Sequence, residues 1–154
     1  MLEGRHVRLR PVDPTADAEA LYAESHPPAG DPGMWTYLFA GPYADAAALR
    51  EALAADARSA DPLVLTLVTL PDEHPAGIAS YMRIKPEHGV IEIGGIWFGV
   101  SLRQSTAAAE AIYLLAANGS ECRPPADASK ASMRSTSSAC GAGSSPRPSE
   151  SRTT

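Results

Sequence analysis

The sequence changes character abruptly after Ala117. From Asn118 to Thr154 it contains no Val, Ile, Leu, Phe, Tyr or Trp, and Ser, Ala, Pro, Gly and Arg dominate instead. Such a segment cannot bury enough apolar area to offset an ordering cost of about 1–2 kcal/mol per residue. We therefore expect the folded part within residues 1–117 and a disordered, low-complexity tail over residues 118–154.

Size and charge exclude several classes of function. A chain of 154 residues predicts a single domain. A formal net charge of −5 gives no support for nucleic-acid binding. No run of 18 apolar residues is present, so no membrane span is expected. The N-terminus lacks an apolar signal region, which predicts a cytoplasmic protein.

Metal and thiol chemistry are not expected either. Cys122 and Cys140 lie in the tail without a metal-ligand or disulfide pattern, which favours free thiols. The four histidines lie near turns or element ends, and each is interpreted as a solvated surface residue. They are His6, His26, His74 and His88.

The region before the break alternates between strand and helix patterns. Asp13 and Pro14 are typical of a helix start, and short turns between the last three strands predict an antiparallel meander. The predicted strands are Val7–Arg10, Leu63–Leu70, Ile78–Ile84 and Val90–Phe98, and the predicted helices begin at Asp13-Pro14, Asp45 (to Ser59) and Ala107 (to Ala117). Ile112 and Leu115 are expected to face inward, and Asn118-Gly119 to end the last helix. The order β-α-α-β-β-β-α indicates an α/β (α+β) fold.

Two loops are candidates for function. The Pro- and Gly-rich segment Pro27–Pro42 carries Trp35 and Tyr37, which form part of either a lid over a site, where they would bind substrate, or a plug on the core. The turn Ser101–Thr106 leads from the fourth strand into the last helix. The free N–H groups of a helix start suit an anion, so this turn is either a phosphate cradle or an ordinary connection.

The same region resembles the acetyl-CoA-binding motif of the GNAT N-acetyltransferases, Gln/Arg-x-x-Gly-x-Gly/Ala. Arg103 matches its first position and Ala108 its last, whereas Thr106 stands where the family usually has Gly. Further segments are similar to the branch that acetylates ribosomal-protein N-termini. These are Leu2–Val12, Trp35–Leu38, Ile91–Gly94 and Ala109–Ala111. The resemblance covers residues 2 to about 117.

The resemblance implies acetyl-CoA as co-substrate and a primary amine as acceptor, either a protein N-terminus or a small amine. It implies that the backbone of Phe98 and Val100 binds the pantetheine arm. It assigns the pyrophosphate to Arg103, Gln104, Ser105, Thr106, Ala107 and Ala108.

Glu92 is the candidate general base, because desolvation among apolar neighbours would raise its pKa. Strand alternation would place it on one face with Val90, Gly94, Ile96 and Phe98. The alternative is an ion pair with Arg83 on the neighbouring strand.

The GNAT pattern also includes a fifth strand, a fourth helix and two more strands, which residues 118–154 do not provide. In the family, acetyl-CoA enters between the fourth and fifth strands, and a Tyr beyond the fifth protonates the thiolate. The alternative hypothesis is therefore a catalytically inactive, truncated or frameshifted GNAT fragment; a natural tail is the other explanation of the break. An exposed fourth strand would favour self-association.

Overall fold

The computed structural model describes residues 1–121, and the predicted disorder of residues 122–154, including Cys122 and Cys140, lies outside them. For residues 118–121 the prediction of disorder is wrong, because they belong to the last helix. The strands are β1 Leu2–Glu3, β2 Val7–Pro11, β3 Leu63–Thr69, β4 His74–Lys85 and β5 Val90–Phe98. The α-helices are α1 Pro14–Ser25, α2 Ala46–Asp56 and α3 Thr106–Glu121, and short 3-10 helices span Pro32–Tyr37 and Pro86–His88. None of the helices in this part of the chain is both long and apolar enough to cross a bilayer.

The five strands form one antiparallel sheet in the order β1-β2-β3-β4-β5. The predicted fold class and element order are confirmed, with the short strand β1 added before β2. Two helix starts follow from single side chains. Asp13 accepts the N–H groups of Thr15 and Ala16 at 2.9 and 3.1 Å, and Asp45 accepts that of Ala48 at 2.7 Å.

Each face of the sheet carries its own core, because successive strand residues point to opposite faces. On one face, α3 packs on side chains that include Val7, Leu9, Leu67 and Tyr81. On the other face, α1 and α2 pack on side chains that include Val64, Ile78 and Trp97. The sheet therefore separates the surface under α3 from the surface under α1 and α2.

The prediction that α3 stops at Asn118-Gly119 is wrong. The Tyr81 hydroxyl donates to the carbonyl oxygen of Leu115 at 2.7 Å and accepts from Nδ2 of Asn118 at 3.1 Å. These tertiary contacts carry the helix through two residues that locally favour its end. Ile112 is also misplaced by the prediction, since it is 38% exposed whereas Leu115 is fully buried.

Other boundaries shift by smaller amounts. Strand β2 includes Pro11, and β4 begins at His74, inside the segment predicted as a turn. Helix α2 ends at Asp56 rather than Ser59. The segment predicted as a loop between Pro27 and Pro42 contains a 3-10 helix, which begins where the Asp31 carboxylate accepts the N–H of Gly33 at 2.8 Å.

Candidate active site

Strand β5 contains a bulge that decides which of its side chains share a face. Ser80 pairs with Gly94 and Ile78 pairs with Trp97, so two steps along β4 match three along β5. Gly95 lies inside the bulge with φ +58°, a conformation that favours glycine. The extra residue reverses the alternation after Gly94 and opens the strand at this point.

The bulge corrects the predicted face of Glu92. Opposite residues of an antiparallel pair share a face, and Glu92 pairs with Met82, so Glu92 lies on the α1/α2 side. Ile96 and Phe98 pack instead against the core under α3. Phe98 and Glu92 therefore do not share a face, contrary to strict alternation.

A cavity of about 300 Å³ lies over this face of β3, β4 and β5. Its other sides are formed by α2 and by the segment Pro27–Pro42, here called the aromatic segment. Its walls are mostly aromatic and aliphatic: Trp35, Tyr37, Leu38, Phe39, Ala40, Tyr43, Leu49, Leu53, Asp56, Pro62, Val64, Ile78, Ser80, Met82, Gly95 and Trp97. A volume of this size is at the lower end of those that hold small ligands.

Asp56, the last residue of α2, is the one carboxylate among these lining residues. Within residues 1–121 its carboxylate has no hydrogen bond or ion pair, and burial raises its pKa. Burial also raises the pKa of the Tyr43 phenol, and the charge of Asp56 adds to that effect. Asp56 was not among the functional residues predicted from the sequence, although its spacing from Leu49 and Leu53 places it on their core-facing side of α2.

Trp35 serves both alternatives considered for the aromatic segment. It is 6% exposed, and its Nε1 donates to the carbonyl oxygen of Ser25 at 3.3 Å, so it is part of the core. It also lines the cavity, where its ring lies 5.6 Å from that of Tyr43 and 5.9 Å from that of Trp97. Tyr37 lines the same cavity from outside, with 92% of its surface exposed.

His26 supports this aromatic wall and is buried, contrary to the prediction of a surface residue. Its ring stacks on that of Tyr22 with centroids 4.2 Å apart. Nδ1 lies 2.9 Å from Oγ of Ser25, and Nε2 accepts the N–H of Tyr43 at 3.0 Å. Burial lowers the pKa of His26, so the neutral ring is favoured.

The start of α3 offers free backbone donors. Ser105 caps the helix, since its Oγ accepts the N–H of Ala108 at 3.1 Å and donates to the carbonyl oxygen of Leu102 at 2.7 Å. In the part of the chain that the structure describes, the N–H groups of residues 104–107 donate to no protein acceptor. Gln104 has φ +54°, and the side chain of Thr106 is exposed. These unused donors fit an anion.

Arg103 connects this helix start to the aromatic segment. Its Nε donates to the carbonyl oxygen of Phe98 at 3.3 Å, and its Nη1 lies 3.4 Å from a carboxylate oxygen of Asp31. Asp31 also accepts the Gly33 N–H, and these two contacts lower the pKa of Asp31. The guanidinium therefore lies between the free N–H groups at the start of α3 and the start of the 3-10 helix Pro32–Tyr37.

Glu24 anchors the turn from the other side. Its carboxylate accepts the N–H of Ser101 at 2.9 Å and lies 2.8 Å from Nε2 of His74. Burial acts to raise the pKa of Glu24, but the hydrogen bonds from Ser101 and the contact with His74 hold it below its usual value. The Glu24 carbonyl oxygen accepts the N–H of Val100 at 3.3 Å. That N–H is consequently not free for a ligand.

Glu92 does not occupy the desolvated surroundings expected for it. Its carboxylate lies 2.9 Å from Nη1 of Arg83, and its side chain is 44% exposed. The interpretation as a cross-strand ion pair is the one that the structure contains. Among residues 1–121, no group of three or more metal-ligating side chains comes together.

Several solved structures resemble this chain. A GCN5-related N-acetyltransferase from Brucella melitensis is 33% identical, with a TM-score of 0.73 over 78% of this chain and 54% of that one. A probable GNAT-family acetyltransferase from Chromobacterium violaceum ATCC 12472 is 30% identical, with a TM-score of 0.69 over 79% of this chain and 60% of that one. A GNAT-family acetyltransferase from Bacillus anthracis, 16% identical with a TM-score of 0.62, matches in fold alone.

The present chain spans 54% and 60% of the first two proteins. No family model and no curated protein matches it. The described residues therefore adopt a GNAT-like fold, and the structures that they resemble are acetyltransferases.

Proposed function

We propose that this chain binds acetyl-CoA and an amine as part of an N-acetyltransferase. One arrangement carries the proposal: the bulged strand β5 leads through a turn to a helix start whose N–H donors have no acceptor within residues 1–121, and an apolar cavity with a carboxylate lies over the face at that bulge. The likeness to GNAT-family structures supports acyl transfer in general terms.

The residues around α3 fit a pyrophosphate. The N–H groups of residues 104–107 have no protein acceptor within the described chain, and Arg103 adds a positive charge beside them. Arg103, Gln104, Ser105, Thr106, Ala107 and Ala108 would hold the phosphates. The backbone of Phe98 and Val100 would hold the pantetheine arm, with the Val100 carbonyl rather than its N–H available.

Acetyl-CoA, when bound, supplies an activated thioester. The neutral amine forms a C–N bond to the carbonyl carbon, the C–S bond breaks, and its electron pair stays on sulfur. The proton lost by the amine ends on the thiol, so the products are an amide and free CoA. The chain's part is to place the amine, exclude water and accept a proton.

Glu92 keeps its proposed role as the proton acceptor, acting through water. Its position on the cavity side of β5 supports this role, whereas its ion pair with Arg83 is the competing structural role. We expect Glu92→Gln to lower turnover by about 10²-fold or more while leaving acetyl-CoA affinity unchanged. Unchanged turnover would remove Glu92 from the mechanism.

The resemblance to the branch that acetylates ribosomal-protein N-termini remains a prediction. The alternative of a catalytically inactive fragment also remains a prediction. Within residues 1–121, β5 pairs with β4 alone, so only one wall of the cofactor cleft is present in that part. The lack of a second wall within residues 1–121 favours the hypothesis of an inactive fragment.

Calorimetric titration of the full chain with acetyl-CoA decides between the two. A micromolar dissociation constant that weakens about tenfold in Arg103→Ala would support the proposal. Arg50→Ala is the matched control, because Arg50 lies on α2 and pairs with Glu19. Absence of binding would favour the inactive fragment.

A further inference from the structure

The cavity over β3, β4 and β5 has a chemistry that the cofactor site does not explain. Aromatic rings from Trp35, Tyr37, Phe39, Tyr43 and Trp97 line it, together with aliphatic side chains. Rings of this kind favour a flat apolar body, and their faces attract a cation. A carbohydrate or a second phosphate group would find few hydrogen-bonding partners in this cavity.

Asp56 is the one charged residue among the described residues that line this mostly apolar cavity. Its carboxylate has no cation and no hydrogen-bond donor within residues 1–121, although it is half-buried. A carboxylate in such surroundings is costly unless a ligand supplies the missing partner. Its neighbour Tyr43 has a phenol that can add one hydrogen bond.

We propose that this cavity binds a primary amine carried on an apolar, ring-bearing body, with Asp56 receiving the ammonium group. The inference rests on the proposed acetyl transfer, for which it names the class of acceptor and a residue that determines specificity. A single carboxylate matches a single positive charge. The aromatic and aliphatic walls match the body of the amine, so a compact aryl-alkyl amine fits better than a flexible diamine.

The position of the cavity agrees with this acceptor. Gly95 and Trp97 line it, and both belong to the stretch of β5 from Gly94 to Trp97 that contains the bulge. The absence of a side chain at Gly95 leaves the backbone open toward the cavity. An amine bound there lies beside the strand that leads to the helix start at Ser105.

The chain carries its own probe for the test. It contains two tryptophans, Trp35 and Trp97, and both line this cavity. Their fluorescence therefore reports directly on occupancy without acetyl-CoA. We would titrate the full chain with 2-phenylethylamine, with 2-phenylethanol as the neutral analogue, and with 1,4-diaminobutane as a polar amine.

We expect 2-phenylethylamine to bind about tenfold more tightly than either comparison compound. Asp56→Asn, a substitution of almost equal volume, should remove this advantage and leave 2-phenylethanol binding unchanged. Glu51→Gln is the matched control, since Glu51 is an exposed carboxylate on the same helix. Circular dichroism confirms that each variant is folded.

Two results would overturn the inference: equal affinity for the amine and the alcohol in the unmodified chain, or an Asp56→Asn variant that keeps the preference for the amine. Tighter binding of 1,4-diaminobutane than of 2-phenylethylamine would overturn the claim that the ligand has an apolar, ring-bearing body. Because the titration contains no acetyl-CoA, failure of the proposed transfer would appear separately, as amine binding without acetyl-CoA binding.

Discussion

Asp17 is a fully buried carboxylate that joins α1 to the sheet. Its oxygens accept the N–H of Asp13 at 2.9 Å and the hydroxyl of Thr66 at 2.7 Å, and they pair with both terminal nitrogens of Arg10. The Asp13 N–H, the Thr66 hydroxyl and the Arg10 guanidinium thus all donate to the Asp17 carboxylate. The helix is therefore fixed to β2 and β3 by a polar contact inside an otherwise apolar layer.

We expect Asp17→Ala to lower the free energy of unfolding by about 3 kcal/mol, because it leaves Arg10 and Thr66 without their acceptor. Urea unfolding measures this change. Glu19→Ala is the control: Glu19 is an exposed partner of Arg50, and its loss should cost less than about 0.5 kcal/mol. Equal effects of the two substitutions would contradict the structural role of Asp17.

Glu110, which the resemblance placed in a family motif, has a visible structural function. Its carboxylate accepts the N–H groups of Arg5 and His6 at 2.9 and 2.7 Å, and these bonds lower its pKa. Helix α3 is thereby tied to the turn between β1 and β2. A depressed carboxyl pKa means that this stabilisation is present above the unfolded-state pKa and is lost as the pH falls through the folded-state value.

Glu110→Gln should therefore lower the midpoint of thermal unfolding at pH 7 by a few degrees, on the order of the effect of one lost charged hydrogen bond. The difference from the unmodified chain should shrink as the pH falls below about 4.5. Differential scanning fluorimetry at a series of pH values measures it. A difference that grows toward acid would contradict the assignment.

At the scale of elements, periodicity located the helices and strands, but tertiary contacts set their ends. Leu115 follows the predicted core stripe of α3, whereas Ile112, one residue beyond Ala111 on the helix, turns toward solvent. The bulge at Gly95 could not be read from alternation, since a single glycine in a strand is compatible with either register. The error in the face of Glu92 follows directly from that bulge.

Strand β5 also carries a prediction about association. In the described part of the chain it is the terminal strand of the sheet, and Val90 at its start is 49% exposed. An unprotected edge with apolar side chains can pair with another chain. We expect concentration-dependent self-association in sedimentation velocity, weakened about fivefold by Val90→Lys, because a lysine on an edge strand opposes pairing.

Val100→Lys is the matched control for that experiment. Val100 is similarly exposed but lies after the end of β5, so its charge should leave the association unchanged. A monomer at all concentrations, or an equal effect of both lysines, would show that the outer edge of β5 does not pair.

For the whole molecule, burial of His26 links stability to pH. Its folded-state pKa lies below the ordinary value of about 6.5, so the unfolded chain binds the proton more readily. This contribution to stability is present above about pH 6.5 and is lost as the pH falls from there through the folded-state pKa. Protonation of Nε2 would also break its bond from the Tyr43 N–H.

We therefore expect the free energy of unfolding to decrease between about pH 7 and 5, and to decrease less in His26→Gln. Urea unfolding across this range measures both chains. His88→Gln is the control, because His88 is exposed and should leave the slope as it is. A slope that does not depend on His26 would contradict the buried, neutral ring.

The overall architecture was predictable from the sequence, because turn residues and apolar periodicity act locally. The candidate site was predictable only in part. The start of α3 follows from the residues at 103–108, whereas the cavity depends on residues from five separate segments that meet only in the folded chain. Asp56 belongs to this second kind, since nothing near it in sequence shows that aromatic rings will surround it.

Position 99 requires glycine because there is no room for a side chain, not because of the backbone conformation. A Cβ there would lie 2.5 Å from a carboxylate oxygen of Glu24 and 2.6 Å from the carbonyl oxygen of Ala76. The residues at positions 24 and 99 should therefore change together in evolution. A larger residue at 99 requires a shorter one at 24, together with a shift of the backbone at 76. Lineages that change this turn should change it in linked steps, and the intermediate with both Glu24 and a side chain at 99 should be rare among relatives.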